Sequence, residues 1–354
     1  MKRLMDETET PTGDGLVVED GGGPTLPSGP GSAAFPIVGV GASAGGLDAF
    51  TQLLKHLPAD SGMAFVLIQH LDPTHASFLR DALAKATPMT VSQAEDGTAV
   101  EPNHVYVIPP DADISIHGGR LTLASRALEG KRSHLSVDGF LRSLAADRGS
   151  RAIGVVLSGN ASDGTEGLRA IKAENGITFA QDPESARYGE MPRNAVNAGV
   201  VDAALPIPDL ARELVRLSRH PYVAAAKAPP ATGDADVRSQ ILMVVRNATG
   251  VDFGEYKLAT VERRLARRMA LRRAQDLQAY LAIVQGDPQE AHALYEDILI
   301  HVTSFFRDPA VFETLESQLL PAILKDKPEG APIRIWVAGC STGEEVYSIA
   351  IALL

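Results

Sequence analysis

Short apolar runs alternate with amphipathic segments over the first 220 residues of the chain. The apolar runs lie at 37–40, 64–68, 104–108, 152–157, 177–180 and 200–203, and the segments with helical spacing lie at 47–56, 76–86, 136–147, 163–174, 191–197 and 207–218. The runs are continuous rather than alternating, which is typical of strands covered on both faces of a sheet. Strands that alternate with helices predict an α/β domain with a mostly parallel sheet.

The rest of the chain has a different pattern. Residues 1–34 have almost no apolar periodicity and predict a disordered tail, whereas the Ala- and Pro-rich residues 222–236 predict a linker. Helical patterns follow the linker at 237–247, 255–273, 276–285, 289–301 and 308–325. A predicted strand at 333–337 then enters a second glycine turn and an apolar helix that reaches Leu354 without a stop signal. The predicted domains are therefore 35–221, 237–330 and 331–354.

Composition narrows the classes of protein. The chain has 354 residues, 45% of them hydrophobic, and a net charge of −11, which argues against a general nucleic-acid binder. A single cysteine, Cys340, excludes an internal disulfide framework and suits a reducing compartment. No apolar run reaches the roughly 18 residues of a membrane-spanning helix, and the N-terminus lacks the apolar core of a signal peptide. We expect a cytoplasmic protein that neither inserts into membranes nor binds nucleic acid.

The first glycine turn, Gly39-Val-Gly41-Ala-Ser43-Ala-Gly45-Gly46, permits three interpretations. A dinucleotide loop would need an acidic residue near the end of the next strand, but Asp60 precedes that strand, which weakens this interpretation. A nucleophile turn fits the pattern Gly-x-Ser-x-Gly, in which small neighbours expose the serine hydroxyl and free amides can bind an oxyanion. Considered alone, the turn favours the third interpretation, a serine that caps the following helix.

A nucleophilic serine needs a base, and the base needs an orienting group. His70 ends the next predicted strand, and Asp163 follows the strand at 153–157. Because the carboxyl ends of neighbouring parallel strands meet at one edge of a sheet, we expect Ser43, His70 and Asp163 to lie together. Each alone has a structural explanation, such as an Asx turn or helix cap for Asp163. The chain order Ser–His–Asp differs from that of α/β-hydrolases.

Four segments occur in order: GVGASAGGLDAF, VLIQHLDP, GVVLSGNASDGTEGLRAIK and YGEMPRNAV. Together they resemble the catalytic domain of CheB-type chemoreceptor methylesterases over residues 35–220. The resemblance implies a three-layer α/β/α fold, with Ser43 as nucleophile, His70 as general base and Asp163 as orienting acid. It also places Ala44, Asn160, Met191 and Arg193 at the oxyanion site or substrate rim.

The resemblance implies hydrolysis of glutamyl methyl esters on the cytoplasmic helices of chemoreceptors, without metal or cofactor, and in many members deamidation of glutamine. Two departures stand out. Residues 1–34 are too few for the receiver domain of familiar members, so we expect no control by a phosphorylated receiver in the same chain. Glu190 separates Gly189 from Met191, which are adjacent in the simplest form of the motif.

The segment 255–273 carries seven basic residues opposed by two glutamates, and the basic residues are Lys257, Arg263, Arg264, Arg267, Arg268, Arg272 and Arg273. A solvated helix face is the commonest role of such a run. A nucleic-acid site would need interleaved aromatic side chains, which this segment lacks. An anionic protein partner is the third interpretation.

The second turn, Gly339-Cys-Ser-Thr-Gly343, also fits the nucleophile pattern, but only 11 residues follow it, too few to supply a base and an acid. A glycine turn of this kind also suits an adenosine cofactor. Residues 237–325 and 333–354 resemble the helical domain and the first S-adenosylmethionine motif of CheR-type chemoreceptor methyltransferases. The resemblance implies cofactor contacts from Thr303, Arg307, Gly339, Ser341, Gly343 and Glu345, and a basic helix that faces acidic receptor helices.

This second resemblance also has departures. His301 and Val302 stand where an Asn is usual, and Val346 stands where a Pro is usual. We expect a CheB–CheR fusion that ends within the first βα unit of a Rossmann-like transferase domain, and no transferase activity from these 354 residues. The alternatives are an esterase-like adaptor or sensor module of a larger signalling protein, and a nucleotide-binding α/β domain. The substrate and the oligomeric state stay open.

Overall fold

The computed structural model describes residues 35–69, 79–110, 112–125, 136–224, 235–299, 305–306, 309–325, 327–328, 331–339 and 343–353. Its centre is a seven-stranded sheet in the order β3-β4-β2-β1-β7-β8-β9, in which every neighbouring pair is parallel. The strands are β1 (Ile37–Ala42), β2 (Ala64–Gln69), β3 (Thr90–Gln93), β4 (His104–Val107), β7 (Ala152–Val156), β8 (Ile177–Gln181) and β9 (Ala203–Leu205). A separate antiparallel hairpin joins β5 (Ala112–His117) to β6 (Arg120–Ser125).

Helices cover both faces of the sheet. They are α1 (Gly46–Lys55), α2 (Leu79–Ala84), α3 (Ser136–Arg148), α4 (Thr165–Ala173), α5 (Glu190–Asn197), α6 (Ile207–Ser218) and α7 (Pro221–Ala224). Alternate residues of β2 point to opposite faces: Phe65 packs in the cluster that includes α1 and α6, and Val66 packs in the cluster that includes α3 and α4. Both faces are therefore buried, which explains the continuous apolar runs and confirms the predicted three layers.

The glycines of β1 let α3 approach the sheet closely. A Cβ at Gly39 would lie 2.7 Å from a methyl of Leu141, and a Cβ at Gly41 would lie 2.2 Å from a methyl of Val137. Both glycines are thus inside the strand, and helix side chains fill the space beside them. A pyrophosphate could not occupy that space, so the dinucleotide interpretation of this turn is wrong.

Most predicted elements are present within one to three residues, and α6 coincides with the predicted 207–218. The last strand of the sheet begins at Ala203 rather than at residue 200. Strand β3 and the β5–β6 hairpin were not predicted from the sequence. The residues of β3 are partly or fully exposed. In β5 burial alternates, so that Ala112, Ile114 and Ile116 are buried and the residues between them are not. Continuous apolar runs do not detect such strands.

A helical region follows the sheet. Its helices are α8 (Ala235–Thr249), α9 (Leu258–Arg272), α10 (Leu277–Gly286), α11 (Pro288–Ile298), α12 (Pro309–Thr314), α13 (Leu320–Leu324) and α14 (Glu344–Ala352). Aspartate side chains begin two of them: Asp276 accepts the Ala279 amide, and Asp287 accepts the Gln289 amide ahead of α11. The predicted helix 308–325 is interrupted by a π-turn at Leu315–Leu319.

The predicted strand at 333–337 is not formed. A strand needs a neighbour to pair with, and no described segment runs beside this one; Trp336 is 91% exposed. The predicted linker also starts too early, because Tyr222 and Val223 are buried and the Tyr222 hydroxyl donates to the Asn175 carbonyl at 2.7 Å. Among the described helices, none is long and apolar enough to cross a membrane.

Candidate active site

The candidate site lies where the strand order reverses. The chain passes from β1 to β2 on one side and later returns to β7 on the other, and such reversals open a crevice at the carboxyl ends of the strands. Ser43 directly follows β1, and Asp163 lies in the turn after β7. Ala42 is in register with Gln69, the last residue of β2 and the one before His70. His70 itself lies outside the described residues.

Ser43 does not cap the helix that follows it. The residue before α1 is Gly45, in the left-handed region at φ 75°, and it makes no side-chain cap. The Ser43 hydroxyl has no hydrogen-bond partner within the described part of the chain, and the residue is half-buried. The helix-cap interpretation is therefore wrong, and the hydroxyl is available for other chemistry.

The two peptide planes after Ser43 are fixed by their carbonyl groups. The Ser43 carbonyl accepts the Gly46 amide at 2.9 Å and Gln69 Nε2 at 3.4 Å, and the Ala44 carbonyl accepts the Ser158 hydroxyl at 2.8 Å. In a trans peptide the C=O and N–H groups point in opposite directions. The amides of Ala44 and Gly45 therefore point away from these partners, and neither donates to an acceptor among the described residues.

Asp163 is 2% exposed and bridges two helices. Its carboxylate accepts the amides of Val137 at 3.0 Å and Asp138 at 2.9 Å, at the N-terminus of α3. In return, Oδ1 of Asp138 accepts the amides of Gly164 at 2.9 Å and Gly167 at 2.7 Å, at the N-terminus of α4. Asp163 thus caps α3, which carries Asp138, and Asp138 caps α4, which begins two residues after Asp163 and has no side-chain cap from its own N-cap residue.

Asp138 was not predicted from the sequence. It is 2% exposed, and its burial, together with the charge of Asp163, raises its pKa despite the amide hydrogen bonds that it accepts. Ser158 and Gln181 were missed as well; both are buried and polar and stand at or just after strand ends. The sequence shows only that each is a polar residue directly after an apolar run, which does not identify its partners.

The other residues predicted at the oxyanion site or substrate rim differ in how deeply they are buried. Asn160 is exposed in the turn after β7. Met191 is 1% exposed, its sulfur packs against Gly159, and its amide donates to the Gly159 carbonyl at 2.9 Å. Arg193 points outward on α5 and pairs with Glu184 at 2.8 Å. Asn160 and Arg193 are therefore exposed and Ala44 is half-buried, whereas Met191 is buried against the turn after β7.

The second predicted site is described in part. Thr303, Arg307 and Ser341 lie outside the described residues. Gly339 and Gly343 have φ values of 67° and 102°, Gly343 precedes α14, and a Cβ at Gly339 would meet nothing within 4 Å. Glu345 is exposed in the first turn of α14. The open backbone beside a helix N-terminus fits one side of an adenosine-cofactor site.

The expectation for the basic helix α9 is wrong for three of its arginines. Arg264, Arg267 and Arg268 are 7%, 0% and 8% exposed, so they face the protein rather than an external partner. Arg267 binds Asp202 and Asp297, and Arg268 binds Glu290. Buried acidic partners remote in sequence explain the positions of Arg267 and Arg268, since a buried arginine must be paired, whereas Arg264 donates to the carbonyls of Lys172 and Ala173.

Comparison with protein families matches residues 38–214 to the CheB methylesterase family, residues 239–299 to the all-alpha domain of CheR methyltransferase, and residues 301–354 to its SAM binding domain. A Rhodobacter capsulatus relative, an uncharacterized 104.1 kDa protein in the hypE 3' region, is 37% identical over 76% of this chain and 30% of its own length. The protein-glutamate methylesterase/protein-glutamine glutaminase of Desulfotalea psychrophila is 31% identical over 51% of this chain and 50% of its own.

The crystal structure of the Thermotoga maritima CheB methylesterase catalytic domain is 28% identical, with a TM-score of 0.48, over 52% of this chain and 100% of that one. The chain thus spans between about a third and a half of the two curated relatives. The methylesterase match covers half of the sequence, and both CheR matches follow it in order. The chain therefore belongs to the CheB methylesterase family and carries CheR methyltransferase segments behind its esterase domain.

Proposed function

We propose that this chain is a protein-glutamate methylesterase in which Ser43 attacks the ester, His70 acts as general base and Asp163 orients His70. One observation carries the proposal: the Ser43 hydroxyl and the two amides that follow it have no hydrogen-bond partner among the described residues, and they lie at a strand end in register with the end of β2. The buried carboxylate of Asp163, at the neighbouring strand end, supports it. The curated relatives named protein-glutamate methylesterase support the choice of ester.

The mechanism has two halves. His70 removes the hydroxyl proton as Ser43 Oγ bonds to the carbonyl carbon, and the amides of Ala44 and Gly45 hold the oxyanion. The intermediate collapses, its C–O bond to the methoxy group breaks, and His70 returns the proton to release methanol. His70 then deprotonates a water molecule, which attacks the acyl-enzyme and leaves a free glutamate and Ser43. Asp163 keeps the imidazole in the required tautomer throughout.

The proposed substrates are methylated glutamates on the cytoplasmic helices of chemoreceptors, which places the enzyme in the cytoplasm. The name of the Desulfotalea relative also includes glutaminase, so we include deamidation of glutamine, with ammonia as the leaving group. The same two half-reactions serve both bonds, since only the leaving group differs.

Three segments make up the proposed organisation: an esterase domain at 35–221, a helical domain at 237–330 and the start of a cofactor domain at 331–354. The family matches at 38–214 and 239–299 support the first two segments, whereas the match to the SAM binding domain begins at 301, ahead of the proposed boundary at 331. S-adenosylmethionine would supply a methyl group when bound. Gly339 and Gly343 would let it approach the backbone, and the remaining contacts would come from Thr303, Arg307, Ser341 and Glu345.

Substitution of the nucleophile tests the proposal. Ser43→Ala should lower methanol release from methylated receptor by at least about 10³-fold, because the acyl-enzyme cannot form. It should also abolish labelling of the protein by a fluorophosphonate probe. Ser162→Ala is the matched control, since Ser162 is exposed in the turn before Asp163 and should keep full activity. Methanol release by Ser43→Ala at the wild-type rate would contradict the mechanism.

A further inference from the structure

Ser158, two residues after β7, makes hydrogen bonds with every polar atom that it has. It is 2% exposed. Its amide donates to Gln181 Oε1 at 3.0 Å, and its carbonyl accepts the Ser43 amide at 3.0 Å. Its hydroxyl donates to the Ala44 carbonyl at 2.8 Å and accepts the Tyr188 amide at 3.1 Å. Its partners belong to three separate segments around the candidate site.

Two of these bonds fix the turn that carries the nucleophile. The bond to the Ser158 carbonyl directs the Ser43 amide inward, so this amide is not available to an oxyanion. The bond from the Ser158 hydroxyl holds the Ala44 carbonyl, and with it the plane that contains the Gly45 amide. The orientation of one proposed oxyanion donor therefore depends on a single hydroxyl group.

The other two bonds anchor Ser158 itself. Gln181 is 4% exposed at the end of β8, and besides accepting the Ser158 amide it donates from Nε2 to the Ser185 carbonyl at 3.3 Å. The Tyr188 amide fills the second position on the Ser158 hydroxyl. Close packing adds to the constraint, because a Cβ at Gly45 would lie 2.9 Å from Ser158 Oγ and 3.2 Å from the Tyr188 ring. The hydroxyl is thus held on both sides.

We propose that Ser158 is a positioning residue that sets the peptide planes after Ser43 and so aims the Gly45 amide at the developing oxyanion. The inference rests on the proposed esterase function and extends it to a residue that touches no substrate. A misplacement of about 1 Å can cost on the order of 10²-fold in rate. The effect should fall on kcat, because the oxyanion develops only after the substrate has bound.

Two variants test the role. Ser158→Ala removes the hydroxyl and should lower kcat for methanol release by about 10²-fold, with KM within about twofold of the wild-type value. Ser158→Cys fills the same place with a weaker donor and should lower kcat by about tenfold. The pH midpoint of kcat should stay unchanged in both, since His70 and Asp163 are intact. Ser162→Ala, in the same turn, should match the wild type.

Each rate is divided by the folded fraction, taken from an unfolding curve of the full chain, so that a loss of folded protein is not counted as a loss of kcat. A kcat within about threefold of the wild-type value in both Ser158 variants would overturn the inference. A higher KM with an unchanged kcat in these variants would also overturn it, since that pattern indicates a substrate contact. Failure of the proposed function looks different, because the wild type would then release no methanol and Ser43 would not react with the probe.

Discussion

Asp163 combines two roles at the scale of a single residue. Its carboxylate accepts two amides at the start of α3, and Asp138 does the same at the start of α4. Carboxylates are stabilised by amides at a helix N-terminus. These four hydrogen bonds hold the two helix ends together, and in the proposed mechanism they also hold Asp163 in place to orient His70.

Substitutions of Asp138 separate hydrogen bonding from charge. Asp138→Ala removes a cap from α4 and should lower the free energy of unfolding by about 1–2 kcal/mol. Asp138→Asn keeps an oxygen for the Gly164 and Gly167 amides but removes a buried charge, so it should raise the free energy of unfolding at pH 7. Urea unfolding of the full chain, followed by circular dichroism, measures both.

The pH dependence of that difference follows from the sign of the shift. The pKa of Asp138 is raised by folding, so its protonated form stabilises the native state below the unfolded pKa of about 4, and this contribution is lost as the pH rises. The gain from Asp138→Asn should therefore grow from pH 4 towards pH 7. A gain that is constant with pH would contradict the argument.

Single residues differ in how far their roles could be predicted. Ser43 and Asp163 could be placed together because both follow apolar runs, and parallel strands end at one edge. Ser158 could not, because it lies 114 residues from Ala44, 23 from Gln181 and 30 from Tyr188, and no local pattern connects them. The rim prediction for Met191 failed to anticipate its burial for the same reason.

At the scale of elements, the glycines of β1 show how one motif can serve another purpose. The spacing of Gly39 and Gly41 matched a dinucleotide loop, yet both residues admit α3 against the strand. Only the spacing is visible in the sequence, whereas the packing of α3 depends on a helix about 100 residues further on. Likewise, the sequence shows that residues 333–337 are β-prone, but it does not show that the described part of the chain lacks a strand beside them.

Gly41→Ala should therefore destabilise the domain. The new methyl group would overlap Val137, and overpacking of a buried site typically costs about 1–3 kcal/mol. Because Val137 also donates to Asp163, kcat should fall together with stability. Gly139→Ala is the matched control: it lies within α3 with nothing within 4 Å of the added Cβ, and should stabilise the chain by up to about 1 kcal/mol. Thermal unfolding of both variants distinguishes the two effects, and equal melting temperatures would contradict the packing argument.

At the scale of the whole molecule, the esterase and helical regions share one core and one buried ionic network. Ile241 of α8 and Leu210 of α6 belong to the same apolar cluster. Arg267 of α9 donates to the Gly176 carbonyl at 3.0 Å and binds Asp202 and Asp297, one from each region. Arg264 donates to the carbonyls of Lys172 and Ala173, at the C-terminus of α4. Family matches divide the chain into separate segments, but these contacts join them.

Loss of Arg267 should weaken this junction strongly. Burial alone would raise the pKa of Asp202, but the charges of Arg267 and Lys172 outweigh burial and lower it. Arg267→Met would leave Asp202 and Asp297 without their main partner, and breaking a buried ion pair in this way typically costs about 3–5 kcal/mol. Arg263→Met, an exposed position on the same helix, should change the free energy of unfolding by less than about 0.5 kcal/mol.

Acid titration distinguishes a charge effect from a loss of packing. A lowered pKa gives Asp202 a stabilising contribution that is present above its unfolded pKa of about 4 and is lost as the pH falls through the folded value. In Arg267→Met, the charge of Arg267 no longer opposes the effect of burial on the pKa of Asp202. Asp202 therefore takes up a proton at a higher pH than in the wild type. The stability difference between Arg267→Met and the wild type should therefore shrink as the pH is lowered towards 4 and below. A difference that stays constant from pH 7 to pH 3 would mean that Arg267 joins the two regions by packing rather than by charge.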